Sequence, residues 1–160
     1  MDYRKEYEKW LASPALSEDE RAELRALEGN DKEIKARFYG PLEFGTAGLR
    51  GTMYTGLHNM NRHVIRWATQ GFANVIRAEG EEAMQKGVAV CMDCRNHSAE
   101  FARETACVMA ANGIHVRLFE SLRPTPELSF AVREYGCQAG VNVTASHNPK
   151  EYNGYKVYWS

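Results

Sequence analysis

In residues 44–160, segments whose apolar positions have the spacing of strands alternate with segments whose apolar positions have the spacing of helices. Short apolar or β-branched runs predict strands at residues 49–53, 87–92, 114–119, 139–143 and 155–159. Helical spacing predicts helices at residues 61–76, 98–111 and 124–135. Strands that alternate with helices are typical of a largely parallel sheet covered by helices on both faces. The pattern therefore predicts an α/β fold.

The predicted helix at residues 61–76 has one apolar face, which we expect to pack inward. The members of this face recur at helical spacing and are Val64, Trp67, Ala68, Gly71, Phe72 and Val75.

Residues 1–40 are rich in charged side chains, and aromatic residues recur there at helical spacing. Ser17 and Glu20 form a capping box for a helix that carries Leu24 and Leu27. These residues contain no catalytic constellation. We therefore expect a helical N-terminal arm at residues 1–40 that packs outside the main sheet, followed by the α/β domain at residues 41–160.

The composition excludes several classes of function. The chain has 160 residues, which suits one domain with an appended arm, and its net charge is −1 from 20 basic and 21 acidic residues. This balance gives no electrostatic surface for nucleic acid or an anionic membrane. No apolar run is long enough to cross a bilayer, and the charged start is unlike a signal peptide. We expect a soluble cytoplasmic protein with neither kind of partner.

The four cysteines are expected to be free thiols in such a compartment. Cys91 and Cys94 have the C-x-x-C spacing of redox and zinc motifs. A zinc site would need two further ligands, and Cys107, Cys137 and His97 do not form a second pair. A structural interpretation of both cysteines is favoured.

The segment TASHNP at residues 144–149 places a serine directly after the strand predicted at residues 139–143. Pro149 keeps the preceding residue out of the helical region, and Asn153-Gly154 predicts a tight turn into the last strand. Ser146 is therefore held in a loop fixed at both ends. A hydrolase triad is disfavoured because no G-x-S-x-G elbow occurs, and because the adjacent Ser146 and His147 side chains would diverge in an extended chain.

Residues 144–159, TASHNPKEYNGYKVYW, resemble the active-serine signature of the α-D-phosphohexomutases, the phosphoglucomutase/phosphomannomutase family. A second segment, LEFGTAGLRGT at residues 42–52, is similar to the family's F-G-T-x-G-x-R-G sequence. Residues 87–95 resemble a family strand that ends in D-x-R. With the arm, the two longer segments are most similar to the phosphoglucomutase/phosphopentomutase branch. The resemblance implies domain I of such an enzyme, a three-layer α/β/α unit with a mixed, mostly parallel sheet.

The resemblance also implies roles for particular residues. Ser146 would carry a phosphoryl group, and Arg50 would balance its charge with a planar guanidinium. Lys156 would handle protons, with His147 as the other candidate, although a lysine on a strand is more often a solvated edge charge. The expected phosphate- and substrate-binding residues are Arg50, Thr46, Gly48, Asn148 and Lys150, with Lys150 ranked below Lys156 as a catalytic group.

The implied activity is a phosphosugar mutase that interconverts hexose or pentose 1-phosphates with 6- or 5-phosphates through a phosphoserine and a bisphosphate. The resemblance implies Mg²⁺, bound in part through the phosphate on Ser146, and an activator such as glucose 1,6-bisphosphate. The family's magnesium loop, D-G-D-x-D-R, is absent from the sequence. We therefore expect a fragment that needs the remaining domains and is inactive alone.

The alternative is a flavodoxin-like or receiver-like module that binds phosphate or a partner without catalysis. Receiver modules use an aspartate at the end of a strand as the phosphoryl acceptor. Asp93 is the position that could take that role.

Overall fold

The computed structural model describes residues 2–46 and 48–160, so Met1 and Ala47 lie outside the described residues. Its five strands, in chain order, are β1 Leu49–Thr52, β2 Val88–Met92, β3 Val116–Leu118, β4 Ala139–Val143 and β5 Tyr152–Trp159. They form one sheet in the order β1-β5-β4-β2-β3. Strands β4, β2 and β3 pair in parallel, and β5 pairs antiparallel with both β1 and β4. Four strands therefore point the same way and β5 runs against them, which confirms a mixed, mostly parallel sheet.

The described residues also form seven helices. They are α1 Tyr3–Leu11, α2 Glu18–Arg25, α3 Asp31–Phe38, α4 Arg62–Ala78, α5 Glu81–Lys86, α6 Ser98–Ala111 and α7 Thr125–Glu134. Residues of α4 and α6 share the main core with one face of the sheet, whereas residues of α7 pack on the other face. The predicted three-layer α/β/α fold is confirmed. None of these helices is long and apolar enough to cross a membrane.

The two central strands explain where the main core lies. Every residue of β2 and β4 is buried, as expected for parallel strands covered on both faces. Tyr155 of β5 is also buried in this core, and its hydroxyl accepts a hydrogen bond from Thr69 of α4 at 3.0 Å. Burial of the phenol raises the pKa of Tyr155 well above its ordinary value.

The predicted apolar face of α4 is wrong in part. The residues that α4 buries are Val64, Ile65, Thr69, Ala73 and Ile76. Trp67 and Val75 are instead 59% and 51% exposed, and Gly71 is exposed as well. The stripe is rotated because α4 must also accept Tyr155, whose hydroxyl meets Thr69, so a polar position turns inward.

The first three helices lie in the range predicted as an arm and have a core of their own. It consists of Tyr7, Leu16, Leu24, Leu27, Ile34 and Phe38. The predicted capping box is present: Ser17 Oγ accepts from the Glu20 N–H, and the Glu20 carboxylate accepts from the Ser17 N–H. Glu20 also accepts hydrogen bonds from Arg62 and meets His63 Nε2 at 3.1 Å. One carboxylate thus joins the arm to the start of α4.

The predicted tight turn at Asn153-Gly154 is wrong, because both residues lie inside β5, which begins at Tyr152. Asn153 is fully buried, and its amide donates to Asn96 O at 2.9 Å and to Ser98 Oγ at 3.0 Å. The Asn153 side chain therefore makes contacts with a distant part of the chain, although asparagine before glycine often indicates a turn.

Candidate functional site

Ser146 lies in a turn three residues beyond the end of β4, at the edge where the parallel strands end. Its φ is 57°, a left-handed conformation that costs a non-glycine residue about 1–3 kcal/mol and is often found at functional sites. The Ser146 N–H donates to Thr144 Oγ1 at 3.0 Å, which secures the start of the turn. The serine side chain is exposed. The loop therefore presents one hydroxyl to solvent from a constrained backbone.

His147 does not diverge from Ser146 as the sequence suggested. Its Nδ1 lies 3.4 Å from Ser146 Oγ, because the left-handed backbone at Ser146 is not extended. His147 is therefore within reach of the serine hydroxyl, although both side chains are exposed.

Arg95 is the residue of this site whose importance the sequence did not reveal. Its guanidinium donates to four backbone carbonyls of the serine loop. These are Ser146 O at 2.8 Å, Asn148 O at 2.6 Å, Pro149 O at 2.8 Å and Tyr152 O at 3.0 Å. The acceptors are main-chain atoms, so no motif marks them. The family-like D-x-R pattern at residues 93–95 was the available signal.

The segment that carries Arg95 is itself tightly held between β2 and α6. Asp93 Oδ1 accepts from the Arg95 N–H and from Ser98 Oγ, each at 2.9 Å. Asp93 Oδ2 also lies 3.5 Å from Arg95 Nε. Hydrogen bonds from Arg95 therefore hold the loop after β2 against the loop after β4.

Arg50 reaches the same loop from β1, as predicted. Its Nη1 donates to Asn148 Oδ1 at 3.0 Å, across 98 positions of sequence. The register pairs Arg50 with Gly154 of β5, where a Cβ would lie only 2.6 Å from Thr144 O. Glycine at position 154 thus allows the close approach of three segments. The Arg50 Nε is buried without a hydrogen-bond partner among the described residues.

Gly48 and Thr46 belong to the turn that precedes β1. Gly45 and Gly48 exchange two backbone hydrogen bonds at 3.0 and 3.2 Å. Gly48 has a φ of 82°, and a Cβ on it would lie 2.1 Å from Tyr155 O. Thr46 is exposed in the turn. No hydrogen bond described for residues 2–46 and 48–160 links Thr46 to the serine loop, so its phosphate-binding role stays a prediction.

Lys156 lies on the sheet face that α7 partly covers. It is opposite Asn142 of β4 and lies on the same face of β5 as Gly154 and Tyr158. Because Arg50 pairs with Gly154, Lys156 shares this face with Arg50. The Lys156 side chain is half-buried and makes no ion pair described here. The fold therefore places Arg50 and Lys156 on one face of the sheet, whereas Ser146 lies beyond the carboxyl end of β4.

An open cavity of about 370 Å³ lies beside the serine. It is lined by Asp93, Cys94, Arg95, Asn96, Ser146, Asn148 and Lys150. Lys150 thus lies beside the serine, and its role in binding phosphate stays a prediction. A larger cavity of about 530 Å³ lies between the arm and α4, but its lining is mainly apolar and includes none of the predicted site residues.

Within the described residues, no group of three or more His, Cys, Asp or Glu side chains is arranged to hold a metal ion. Asp93, the carboxylate in the cavity lining, is already engaged by Arg95 and Ser98. The predicted contribution of Ser146 through a phosphate is compatible with this geometry, but these residues do not form a complete magnesium site.

Comparison with known proteins agrees with the fold. The profile of the domain described as phosphoglucomutase/phosphomannomutase, alpha/beta/alpha domain I, matches residues 41–160. The phosphopentomutase of Homo sapiens is 43% identical over 138 residues, which cover 82% of this chain and 22% of that protein. A phosphoglucomutase of Staphylococcus aureus (strain USA300) is 41% identical over 131 residues, covering 82% and 23%.

Solved structures give the same result. A structure from Thermus thermophilus superposes with a TM-score of 0.68 at 32% identity, covering 75% of this chain and 26% of its own. A phosphoglucomutase/phosphomannomutase family protein of Burkholderia thailandensis superposes with a TM-score of 0.60 at 27% identity, covering 72% and 25%. The chain thus spans about a quarter of the length of its relatives. On this match, and with Arg50 bonded to Asn148 of the serine loop, the chain belongs to the phosphoglucomutase/phosphomannomutase family, of which it carries domain I.

Proposed function

We propose that this chain supplies the phosphoserine domain of a phosphosugar mutase in carbohydrate metabolism. The observation that carries the proposal is the contact between Arg50 and the serine loop, made by two segments 98 positions apart in sequence. A phosphoserine carries about −1.5 to −2 charges near pH 7, and arginine is its usual partner. The relatives that bear mutase names support the substrate class, a hexose or pentose phosphate.

In the proposed reaction the phosphoryl group passes from Ser146 Oγ to a hydroxyl of the sugar phosphate. The Oγ–P bond breaks and a new bond forms between phosphorus and the sugar oxygen. The sugar hydroxyl gives up its proton, and Ser146 Oγ takes up a proton and becomes a free hydroxyl again. The resulting bisphosphate reorients and returns its other phosphoryl group to Ser146. Such transfers depend mainly on positioning and charge stabilisation.

We propose roles for the remaining residues, and their placement supports these roles. Arg50, with Asn148 held against it, would stabilise the phosphate on Ser146. Lys150 and the turn of Thr46 and Gly48 would contact substrate phosphate. We assign the proton of the sugar hydroxyl to Lys156, with His147 as the second candidate because its ring lies 3.4 Å from Ser146 Oγ.

We also propose that Mg²⁺ takes part, with a phosphate oxygen on Ser146 as one ligand and the others supplied by further domains. A bound magnesium ion would neutralise charge on the transferred group. The same domains would complete the substrate site, and a bisphosphate such as glucose 1,6-bisphosphate would keep the serine phosphorylated. We therefore expect this chain alone to show only background turnover in a coupled mutase assay.

The receiver-like alternative is disfavoured by the surroundings of Asp93. Both carboxylate oxygens face Arg95, and one of them also accepts from Ser98. A carboxylate tied in this way serves as a structural anchor, whereas Ser146 is exposed.

Phosphopeptide mapping of the full-length enzyme tests the proposal. Intact mass should show one added phosphate, located on the peptide with Ser146, and Ser146→Ala should abolish both the phosphate and the activity. Ser121→Ala, at an exposed loop serine, is the matched control and should keep both. Phosphate on Asp93 would instead favour the receiver-like function.

Arg50→Lys tests the charge compensation. Lysine keeps the charge but loses the planar fork, so turnover should fall roughly a hundredfold, since one lost charge-stabilising donor costs about 2.7–4 kcal/mol. Lys156→Ala should lower turnover with less effect on the amount of phosphoserine. Near-normal turnover of Arg50→Ala would show that the contact of Arg50 with the serine loop is structural only.

A further inference from the structure

The contacts of Arg95 are unusual because a single guanidinium donates four hydrogen bonds to backbone carbonyls of one loop. Four of its hydrogen bonds end on carbonyls between Ser146 and Tyr152, at 2.6 to 3.0 Å. Its remaining N–H, on Nε, faces Asp93 Oδ2 at 3.5 Å. A guanidinium has five N–H donors, so none is left over for a phosphate. The Arg95 side chain is also only 13% exposed, whereas an arginine that binds a ligand on an open surface is largely exposed.

The loop that Arg95 holds contains a strained residue. Ser146 has a φ of 57°, and its own carbonyl is one of the four acceptors. A left-handed serine persists when the surrounding structure determines its conformation. The carbonyl contacts of Arg95 supply that constraint on the far side of the residue, while Thr144 Oγ1 fixes its N–H.

Arg95 is anchored at its own base as well. Asp93 accepts from the Arg95 backbone N–H, and Ser98 joins Asp93 to the start of α6. Asn153 of β5 donates to Asn96 O and Ser98 Oγ from the opposite side. The guanidinium therefore reaches the serine loop from a rigid support.

We propose that Arg95 is a positioning residue for phosphoryl transfer, which fixes Ser146 Oγ at one point relative to Arg50 without contacting the substrate. This inference rests on the proposed function, since it assigns Arg95 a part in the same reaction. A displacement of about 1 Å in a reacting group can lower a rate by roughly a hundredfold. Loss of Arg95 should therefore act on the rate of transfer and leave substrate binding nearly unchanged.

Arg95→Lys in the full-length enzyme is the first test. Lysine keeps the charge but cannot serve four carbonyls with a planar fork. We expect kcat to fall at least tenfold, KM for the sugar phosphate to change less than threefold, and amide exchange in residues 146–152 to accelerate. Arg117→Lys is the matched control, because Arg117 also donates to a backbone carbonyl, Lys86 O, but at the opposite edge of the sheet. This control should show none of the three changes.

Two further measurements keep the test decisive if Arg95→Lys folds poorly. Arg95→Ala should recover part of its kcat when guanidinium ion is added, whereas ammonium ion should have no effect. Asp93→Asn weakens the anchor of Arg95 but leaves the four carbonyls in place, so it should cause a smaller loss of kcat with the same KM.

The outcomes separate this inference from the proposed function. A wild-type enzyme without phosphate on Ser146 would overturn the proposed function, and with it the role of Arg95 in transfer. Phosphoserine with an unchanged kcat in Arg95→Lys would overturn the positioning role alone. A raised KM at unchanged kcat would overturn it too, because it would show that Arg95 binds substrate.

Discussion

Backbone conformation at single residues determines how closely the segments of this site can approach. Gly48 and Gly29 both have positive φ, at 82° and 84°. A Cβ on Gly48 would lie 2.1 Å from Tyr155 O, whereas a Cβ on Gly29 would meet nothing within 4 Å. Glycine is therefore needed at position 29 only for the backbone conformation, whereas at position 48 it is also needed for the close approach of Tyr155.

Alanine substitution should separate these two effects. Gly29→Ala should lower the free energy of unfolding by about 1–2 kcal/mol, the cost of a left-handed alanine. Gly48→Ala should cost at least about 2 kcal/mol more, because β1 must move away from β5. Urea denaturation of both variants measures the difference. Equal losses would show that the strands separate without cost.

The four cysteines differ in burial, and therefore in the reactivity expected of their thiols. Burial, with smaller contributions from Glu127 and Asp93, raises the pKa of the Cys91 thiol to about 12. Cys94 and Cys107 are exposed. The C-x-x-C spacing thus spans a strand end, with one thiol inside the core and one outside.

Alkylation with iodoacetamide at pH 8 should modify Cys94 and Cys107 in the native protein. Cys91 should react only after unfolding, because the thiolate is the nucleophile and its population at pH 8 is small. Peptide mass spectrometry measures the extent at each site. Rapid native modification of Cys91 would mean that the β2 core opens readily.

The sequence was informative about the site where chemistry depends on side chains, and uninformative where it depends on the main chain. Ser146, Arg50 and Asn148 were predicted, and the fold brings them together. Arg95 was missed because its partners are carbonyl oxygens, which every residue carries. The approach of His147 to Ser146 was missed because a positive φ on serine leaves no trace in the sequence.

Among the elements, prediction succeeded where local and tertiary preferences agree. The bounds of α6 and β4 match the prediction because β4 is buried along its whole length and Asn112-Gly113 ends the amphipathic helix α6. The last strand begins earlier than predicted because buried Asn153 bonds to the loop before α6. The inward face of α4 was displaced because Tyr155 requires Thr69 opposite it. Contacts with distant elements decided both cases.

Neighbouring positions on α4 allow a direct check of its orientation. Val75 is 51% exposed and Ile76 is fully buried. Ile76→Ala should lower the free energy of unfolding by about 2–5 kcal/mol through a cavity in the main core. Val75→Ala should change it by less than about 0.5 kcal/mol. Chemical denaturation distinguishes the two, and a larger loss at Val75 would restore the orientation inferred from the sequence.

At the scale of the whole molecule, charged, polar and aromatic contacts join the arm to the α/β domain. Glu20 of α2 accepts from Arg62 and meets His63, whose ring packs edge-on against Trp10 at 5.7 Å. Burial opposes ionisation of Glu20, but the Ser17 N–H, Arg62 and His63 together hold its pKa below the usual value. Burial lowers the pKa of His63, and the carboxylate of Glu20 offsets this only in part.

Both shifts predict that acid weakens this junction. Folding favours ionised Glu20, so its contribution is complete above pH 4.5 and is lost as pH falls below that value. Folding also favours neutral His63, so protonation opposes folding as pH falls below 6.5. Neutral Glu20→Gln should lower stability at pH 7 by about 1–3 kcal/mol and flatten the dependence near pH 4. Urea titrations across pH 3.5–8 provide the measurement.

Glu18→Gln is the control for this prediction. Glu18 lies on the same helix, but its side chain is 88% exposed and pairs only with Arg21 at 3.8 Å. It should alter stability by less than about 0.5 kcal/mol at either pH. A similar loss in both variants would mean that α2 responds to its total charge and not to the junction.

The pairing of β1 with β5 has a consequence for the order in which the molecule assembles. These neighbours are roughly a hundred residues apart, a separation that slows folding because a large loop must close first. During synthesis, β1, β2 and β3 are all complete well before β5, so β1 has no partner strand until β5 is made. The last strand then inserts between β1 and β4 and brings Arg50 to the serine loop. A chain stalled before this step would expose Ser146 without its arginine, so the site is completed only when the sheet is.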